Sequence, residues 1–250
     1  DLALDAVPEK NRLAIKVAVE APQGGVIAAL AGIEEPLSLT VDGAGDWGSW
    51  NGTLTANQAG TALARLQLGA RDGTLSVKGP AQLGKLFGGV AGELFDSTTQ
   101  LDLTARLDRR RAALRGVLRS DQLAIMPSGV IDLGANRFDG LKLEMLLLRP
   151  AALAPNLSGR AVRAELELDG RFATPQLQYK LTAAALAAND VILQGLDASG
   201  RAQVRPDQVM IPVSARIARI DGLDGVAGGA IANVRVDGDL ALDGARLLSD

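Results

Sequence analysis

The stretch Val162-Arg-Ala164-Glu-Leu166-Glu-Leu168 decides the fold, because apolar and polar residues alternate along it with a period of two. Successive side chains of an extended strand point to opposite faces, so this run has one aliphatic face and one charged face. The same alternation recurs in runs that begin at Leu13, Leu37, Leu66, Leu101, Leu141, Leu177, Val209 and Val234. The sequence therefore predicts antiparallel strands with one wet side, not the doubly buried strands of parallel βα units.

Asp-Gly dipeptides punctuate these runs and predict the connections between strands. They occur at 42–43, 72–73, 139–140, 169–170, 221–222, 224–225, 237–238 and 243–244. Asp-Gly suits tight hairpin turns that need positive φ, so we expect most of these pairs to be turns. Short strands with frequent turns are typical of a sandwich or barrel, and they fit an open, elongated sheet equally well.

Three segments depart from the alternation and predict short helices. Ala21–Ile33 and Pro80–Phe95 carry apolar residues at helical spacing, while Leu146–Leu153 is interrupted by Pro150 and predicts one short turn of helix. We interpret these segments as plugs or caps on a sheet. A role at a membrane surface is less favoured, because neither longer helix has the Lys/Arg-rich polar face that such helices use.

The chain of 250 residues shows no obvious linker, so we treat residues 1–250 as one continuous segment. The nearest feature to a break is 149–158, with Pro150, Pro155 and Asn156. No apolar run approaches the roughly 20 residues of a membrane helix. Because the chain starts at Asp1 and shows no signal peptide, we expect a piece of a longer protein whose anchor lies elsewhere.

Composition excludes several classes of function. The chain has no His and no Cys, which removes imidazole bases, thiolate nucleophiles, disulfides and the usual zinc sites. The net charge of −3 and the aromatic content of 3% offer neither a field nor stacking platforms for nucleic acid. We therefore expect no enzyme activity, no cofactor, no metal and no nucleic-acid partner.

The remaining chemical candidates have plain structural interpretations. Glu34-Glu35 precedes a proline, and Glu165 and Glu167 alternate with aliphatic residues, which predicts a wet face rather than the buried carboxylate pair of a glycosidase. The glycine-rich run at 224–229 lacks the spacing of a phosphate loop. Arg109-Arg110-Arg111 predicts a solvated turn, with contact to an anionic head group or partner as the alternative.

Trp47 and Trp50 are the only tryptophans, and they lie within the glycine-rich run 42–52. In the plainer interpretation one Trp closes the end of a core and the other covers a turn. In the alternative, an exposed aromatic pair anchors a partner or a bilayer surface.

The predicted apolar face is aliphatic, long and poor in polar groups. A strand of about seven residues spans roughly 23 Å, close to the length of an acyl chain. A sheet folded into an open trough would hold such a chain, whereas a closed sandwich core would hold nothing. Periodicity alone does not separate the two interpretations.

Several stretches resemble the TamB family, the inner-membrane subunits of the translocation and assembly module, which are related to the AsmA-like proteins. The resemblance is diffuse and covers most of the chain. It is carried by Ala21-Pro-Gln-Gly-Gly-Val-Ile-Ala-Ala-Leu-Ala-Gly-Ile-Glu-Glu-Pro-Leu37, Leu39-Thr-Val-Asp-Gly-Ala-Gly-Asp-Trp-Gly-Ser-Trp-Asn-Gly-Thr-Leu54, Asp169-Gly-Arg-Phe-Ala-Thr-Pro-Gln-Leu177, the run Leu181–Leu196 and the run Ile211–Leu223.

The resemblance implies a Gram-negative envelope protein with an inner-membrane anchor and a long periplasmic β-groove. Such proteins are thought to conduct phospholipids between the two membranes. They also act with an outer-membrane barrel of the Omp85 type in outer-membrane protein and autotransporter assembly. The anchor and the barrel-binding part are absent from this chain, so any Omp85 contact is expected through parts outside it.

Taken together, the sequence predicts a mainly β chain, an elongated antiparallel sheet folded into an open hydrophobic trough, with two or three short helices. Phospholipid acyl chains are the expected partner. The alternatives are a scaffold that binds nascent outer-membrane protein strands by β-augmentation, without lipid transport, and an inert spacer. We expect the groove to be lined by Ile15, Val17, Val19, Leu37, Leu39, Leu101, Leu103, Leu166, Leu168, Leu177, Leu181, Ile211 and Val213.

Overall fold

The computed structural model describes residues 2–7, 11–21, 36–86, 89–204, 209–223, 229–243 and 246–249. The chain divides into two compact units. The first unit is Asp1–Arg109 with Arg115–Asp121, and the second is Arg110–Leu114 with Gln122–Asp250. The described residues form strands β1 (Leu2–Val7), β2 (Arg12–Ala21), β3 (Leu37–Gly45), β4 (Ser49–Gln58), β5 (Thr61–Arg71), β6 (Thr74–Ala81), β7 (Thr99–Asp108), β8 (Arg111–Arg119), β9 (Leu123–Asp132), β10 (Arg137–Leu147), β11 (Leu157–Arg160), β12 (Val162–Arg171), β13 (Gln176–Ala188), β14 (Val191–Val204), β15 (Val209–Leu223), β16 (Gly229–Asp243) and β17 (Arg246–Ser249).

The first unit is an antiparallel meander in which each strand from β1 to β7 pairs with the next. Between β3 and β6 the pairing of consecutive strands follows from connections of two or three residues, since a tight turn returns the chain directly alongside the strand it has just left. The connection between β5 and β6 is the two-residue turn Asp72-Gly73, where both residues have positive φ. That geometry matches the twist of the flanking strands.

The second unit is also an antiparallel meander from β9 to β17, except that β10 pairs with β12 and not with β11. The short strand β11 pairs with the end of β13, and β12 pairs with the rest of it. Every described pairing in both units is antiparallel. The predicted fold class, a mainly β chain with an open antiparallel sheet and few helices, is therefore confirmed.

Helical structure in the described residues is short and falls between strands. The predicted helix Pro80–Phe95 is replaced by the end of β6, a 3-10 helix at Leu83–Leu86 and the helix α1 at Gly89–Leu94. In the third predicted segment only Pro150–Ala152 is helical, as one 3-10 turn, which agrees with the single short turn expected there. The predicted helix Ala21–Ile33 lies outside the described residues except for Ala21, which ends β2.

The expectation that most Asp-Gly pairs are hairpin turns is wrong. Only 72–73 is a hairpin turn among the described pairs. At 139–140, 169–170 and 221–222 the pair lies inside a strand, and its glycine has φ of +64°, +87° and +85° respectively. Register shifts at the first and last of these positions identify β-bulges. Pairs 42–43 and 237–238 lie within β3 and β16. Pair 224–225 and Gly244 lie outside the described residues.

Glycines also allow close backbone approach inside the strands. Gly79 on β6 has φ of +137°, and a Cβ there would lie 2.5 Å from the carbonyl oxygen of Arg65 on β5. Gly129 on β9 has φ of +129°, and a Cβ there would collide with the carbonyl oxygen of Gly140 on β10. Only glycine fits such positions, which bend a strand locally.

Candidate apolar binding faces

Strand register builds one continuous apolar face in the first unit. Val17 lies opposite Val41, which lies opposite Leu54, and the row continues through Leu66 on β5. Since side chains two residues apart share a face, neighbouring rows are apolar as well. We call this set the first apolar face; its members are Leu13, Ile15, Val17, Val19, Leu37, Leu39, Val41, Trp50, Leu54, Ala56, Ala64, Leu66, Leu68, Ala70, Leu75, Val77, Ala81, Leu101, Leu103 and Ala105.

The second unit has an equivalent arrangement. Leu143 lies opposite Leu166, which lies opposite Tyr179, and Leu168 lies opposite Leu177. We call this set the second apolar face; its members are Leu123, Ile125, Pro127, Leu141, Leu143, Met145, Leu147, Val162, Ala164, Leu166, Leu168, Leu177, Tyr179, Leu181, Ala183, Leu196, Ala198, Ala202, Ile211, Val213, Ala215, Ile217, Val234 and Val236.

All thirteen residues expected to line a groove lie on these two faces. Seven are on the first face and six on the second. Each of the thirteen is half-buried, neither sealed in a core nor fully exposed. By contrast, seven of the fourteen hydrophobic residues that are buried in the described part of the chain are alanines. The long aliphatic side chains that a bound apolar molecule would touch therefore keep part of their surface accessible.

The indole ring of Trp50 lies over two glycines on the first apolar face. A Cβ on Gly43 or Gly52 would collide with its indole ring, so the ring occupies the space that side chains would otherwise fill. Trp50 is 9% exposed, and its Nε1–H has no hydrogen-bond acceptor among the described residues. Trp47, three residues earlier, is 57% exposed on the turn between β3 and β4. The two tryptophans therefore do not form an exposed pair, which agrees with the plainer interpretation.

Tyr179 plays the same part on the second apolar face. Its ring lies over Gly200, where a Cβ would be 2.8 Å from Cε1, and its hydroxyl donates a 2.6 Å hydrogen bond to the carbonyl oxygen of Pro212. Partial burial raises the pKa of the Tyr179 phenol above its usual value. The hydroxyl is thus already partnered, and both aromatics fill glycine gaps in an otherwise aliphatic surface.

Opposite side chains on the same strands form polar faces with cross-strand ion pairs. Lys16 and Asp42 are 3.5 Å apart, Lys78 and Asp102 are 3.0 Å apart, and Lys142 and Glu167 are 3.7 Å apart. These pairs are solvent-exposed, so each contributes little to stability. The ion pairs matter for where charge lies, because they keep charged groups on the faces opposite the apolar faces. Glu165 and Glu167 lie on this wet side, as predicted.

The arginine cluster at 109–111 and the Asp-Gly pair at 169–170 each contain a charged side chain with a local partner. Arg111 donates a hydrogen bond to Asp139, and Arg109 lies in a turn with φ of +55°. The backbone N–H of Gly170 and the guanidinium of Arg137, 3.1 Å from the carboxylate, hold the pKa of Asp169 below its usual value. The pairs Glu34-Glu35 and most of the glycine-rich run 224–229 lie outside the described residues.

The register adds residues that sequence reasoning missed. Leu54 lies between Thr53 and Thr55, and Val77 lies between Ser76 and Lys78, so each belongs to a short alternating run. That alternation is a sequence signal from which Leu54 and Val77 could have been assigned to an apolar face. Trp50 had no such signal, because its neighbours are glycine, serine and asparagine and its face follows only from its pairing with Gly45.

Other features bear on what the chain can bind. In the described part of the chain, no helix is long and apolar enough to span a membrane, and no three potential metal ligands cluster together. No protein-family model, no curated protein and no solved structure matches this chain. Its function must therefore be argued from the two apolar faces and the polar faces opposite them.

Proposed function

We propose that this chain is a segment of a hydrophobic conduit that moves phospholipids by holding their acyl chains against its apolar faces. The observation that carries the proposal is the half-buried state of most of the long aliphatic side chains that strand register aligns in each unit; Leu66, Leu141 and Ile217 are among the few that are buried. A protein that needed these residues only for its own core would bury them more completely.

The energetics favour this ligand class. Exposing an acyl chain of about 16 methylenes to water costs on the order of 13 kcal/mol at about 0.8 kcal/mol per methylene. A surface must offset nearly all of that cost for the chain to leave a bilayer. Strands of ten residues, such as β2 and β7, are about 33 Å long and offer an aliphatic track of sufficient length.

The chemistry of the faces favours passage over tight capture. The hydroxyl of Tyr179 is already hydrogen-bonded, and the ion pairs lie on the opposite side of the strands. An aliphatic surface without accessible polar handles binds acyl chains without fixing their orientation, since the hydrophobic effect is non-directional. Head groups would remain in water while the chains slide.

The wider role follows from the resemblance to the TamB family. We propose that the chain works in the periplasm between inner and outer membranes, tethered to the inner membrane by a segment outside it. The proposed role includes support of outer-membrane protein and autotransporter assembly with an Omp85-type barrel, contacted through other parts of the protein. No bond chemistry and no cofactor are needed for it.

Photocross-linking tests lipid contact directly. A photoreactive amino acid at Leu103 or Leu168 should cross-link to phospholipid in the purified chain after incubation with phospholipid vesicles. The matched controls are Thr104 and Gln178, which lie on the polar faces of β7 and β13. We expect lipid adducts, detected by mass spectrometry, at the two leucines and not at the two controls.

Equal labelling of the two sides, or no lipid adducts at either leucine, would contradict the conduit. The unfolding transition of each labelled protein should be measured alongside. A photoreactive side chain on a half-buried position is tolerated better than one in a sealed core.

One observation favours the alternative of a β-augmentation scaffold. Residues 229–239 of β16 pair with β15 on one side, and no described residue pairs with them on the other. A free edge of this kind can accept an incoming strand through its backbone groups. Cross-links from Arg235 to an unfolded outer-membrane protein, without lipid adducts at Leu103 or Leu168, would support the scaffold instead.

A further inference from the structure

Trp47 is the most exposed large hydrophobic residue in the described part of the chain, at 57%. An exposed tryptophan leaves a large apolar surface in water, in contrast to Trp50, which is 9% exposed over its glycines. Exposed aromatic residues of this kind are typical of interaction sites, because their rings combine an apolar body with one polar N–H.

The turn that carries Trp47 is fixed by hydrogen bonds. Asp46 Oδ1 accepts hydrogen bonds from the backbone N–H groups of Gly48 at 2.8 Å and Ser49 at 2.6 Å. The Asp46 N–H donates to the carbonyl oxygen of Ser49, and Asn11 Oδ1 accepts from the Trp47 N–H at 3.4 Å. The backbone is therefore held in place while the indole remains in solvent, which is the arrangement of a preorganised anchor.

Two exposed leucines lie at the same end of the first unit. Backbone hydrogen bonds connect the neighbouring turns and strand ends here. The N–H of Asp72 donates to the carbonyl oxygen of Gly48, and the N–H of Leu107 donates to the carbonyl oxygen of Gly73. Leu75 is 40% exposed and Leu107 is 37% exposed. Leu75 lies opposite Ala105 on the first apolar face, and Leu107 continues that side of β7. The apolar face thus reaches solvent beside Trp47.

Arginines border this end on the polar side. Arg71 and Arg106 lie on either side of Thr74 in one cross-strand row, and neither has an acidic residue opposite it on β4 or β6. Arg109 lies in the turn that follows β7. Asp46, Asp72 and Asp108 are also at this end, so the charges of the three arginines are balanced. Guanidinium groups beside an exposed indole match the phosphates and acyl boundary of a phospholipid surface.

We propose that this end of the first unit, formed by Trp47, Leu75, Leu107, Arg71 and Arg106, docks on a phospholipid bilayer surface. Trp47 inserts at the level of the head groups, the two leucines reach the acyl boundary, and the arginines contact phosphates. The occupant is a bilayer and not a protein because the exposed indole and leucines lie beside guanidinium groups, an arrangement that matches the acyl boundary and the phosphates of a lipid surface. The inference goes beyond the conduit, since docking requires no lipid to leave the bilayer.

Vesicle binding of the whole chain tests the proposal. The probes are phosphatidylcholine vesicles with and without phosphatidylglycerol, and the readouts are co-sedimentation and quenching of Trp47 by brominated acyl chains in a Trp50→Phe background. We expect Trp47 quenching, and a loss of vesicle affinity of at least about tenfold on Trp47→Ala, because insertion buries apolar indole surface. Arg71→Gln with Arg106→Gln should reduce binding to vesicles with phosphatidylglycerol more than binding to neutral vesicles, because phosphatidylglycerol adds net negative charge at the surface.

The matched control lies on the helical connection between β6 and β7, where Leu86 and Val90 are also exposed. Leu86→Ser with Val90→Ser should leave vesicle binding unchanged. The proposal is overturned if Trp47→Ala binds as the parent does, if the control pair loses binding instead, or if Trp47→Ala changes only self-association. Loss of cross-linking at Leu103 with intact vesicle docking would count against the conduit alone, so the two proposals fail separately.

Discussion

At the scale of single residues, Trp47, Trp50 and Tyr179 differ in whether a glycine lies beneath the ring. Trp50 and Tyr179 each cover a glycine on a neighbouring strand, whereas Trp47 follows an aspartate that fixes a turn and has no such surface to cover. Sequence alone offered both interpretations of the two tryptophans, because the deciding fact is which residue lies across the sheet. Cross-strand pairing is non-local, and a glycine-rich run carries no alternation from which it could be read.

Tyr179 gives a prediction about pH, and it is the chain's single tyrosine, so its titration is free of overlap. Burial raises its pKa in the folded state, so the folded protein favours the neutral phenol that donates to Pro212. That contribution to stability is fully present below the ordinary value of about 10 and is lost as pH rises through the folded-state pKa. We expect the phenolate absorbance to appear at higher pH in the folded than in the denatured protein.

The control for this prediction is Tyr179→Phe, which keeps the ring over Gly200. This variant should lose about 1 kcal/mol of unfolding free energy near neutral pH, the usual contribution of one hydrogen bond. It should also show a shallower fall in stability above pH 10 than the parent protein. A phenol that titrates at the same pH in the folded and denatured protein would show that the hydroxyl is not held as described.

At the scale of elements, the strands were predictable and the role of Asp-Gly was not. Alternation predicted the strands because half-buried antiparallel strands impose a period of two on the sequence. Tight hairpin turns and glycine-containing bulges both place a residue at positive φ, so Asp72-Gly73 in a turn and Asp139-Gly140 in a bulge look identical in sequence. A turn and a bulge differ in whether the strand continues beyond the Asp-Gly pair. That depends on whether a neighbouring strand offers backbone hydrogen bonds to the residues that follow.

Two glycines on the neighbouring strands β9 and β10 give a matched test of this interpretation. Gly140 has φ of +64° with no atom within 4 Å of a Cβ position, so Gly140→Ala should cost about 1 kcal/mol of unfolding free energy from backbone strain alone. At Gly129 a Cβ would also collide with the Gly140 carbonyl oxygen and approach Leu141 Cα at 2.8 Å. Gly129→Ala should therefore cost about 3 kcal/mol or more.

Urea unfolding followed by circular dichroism measures both variants. Equal costs would mean that β9 relaxes around the added methyl group, and that close approach at Gly129 is not what fixes the bend. A larger cost at Gly140 than at Gly129 would contradict the interpretation of Gly140 as an unobstructed bulge position.

At the scale of the whole molecule, the residues of the two apolar faces were predictable as sets and their degree of burial was not. The thirteen residues chosen from alternation all share a face with their neighbours, because register follows from the same pattern that identified them. Alternation is the same for a sealed sandwich and an open surface, since it records which side is apolar and not what lies over it. Half-burial of Leu103 and Leu168 therefore had to come from the structure.

The conduit makes a further prediction about the contribution of each apolar face to lipid transfer. A carboxylate placed among aliphatic side chains must stay hydrated, so Leu103→Asp on the first face and Leu168→Asp on the second should each obstruct an acyl chain locally. If lipids pass along both faces in sequence, either substitution alone should lower phospholipid transfer between vesicles at least about tenfold, since about 1.4 kcal/mol of added barrier suffices. The double variant should then be little worse than either single one.

Thr104→Asp and Gln178→Asp, on the polar faces, are the matched controls and should transfer lipid at the parent rate. The unfolding transitions of all five variants separate obstruction from lost structure. If the faces instead bind lipid independently, each single variant loses only its own share of bound lipid, and the losses add in the double variant. Passage along both faces in sequence predicts a different result. Each single substitution should then stop transfer while lipid stays bound to the unsubstituted face, so the losses in transfer are strongly non-additive.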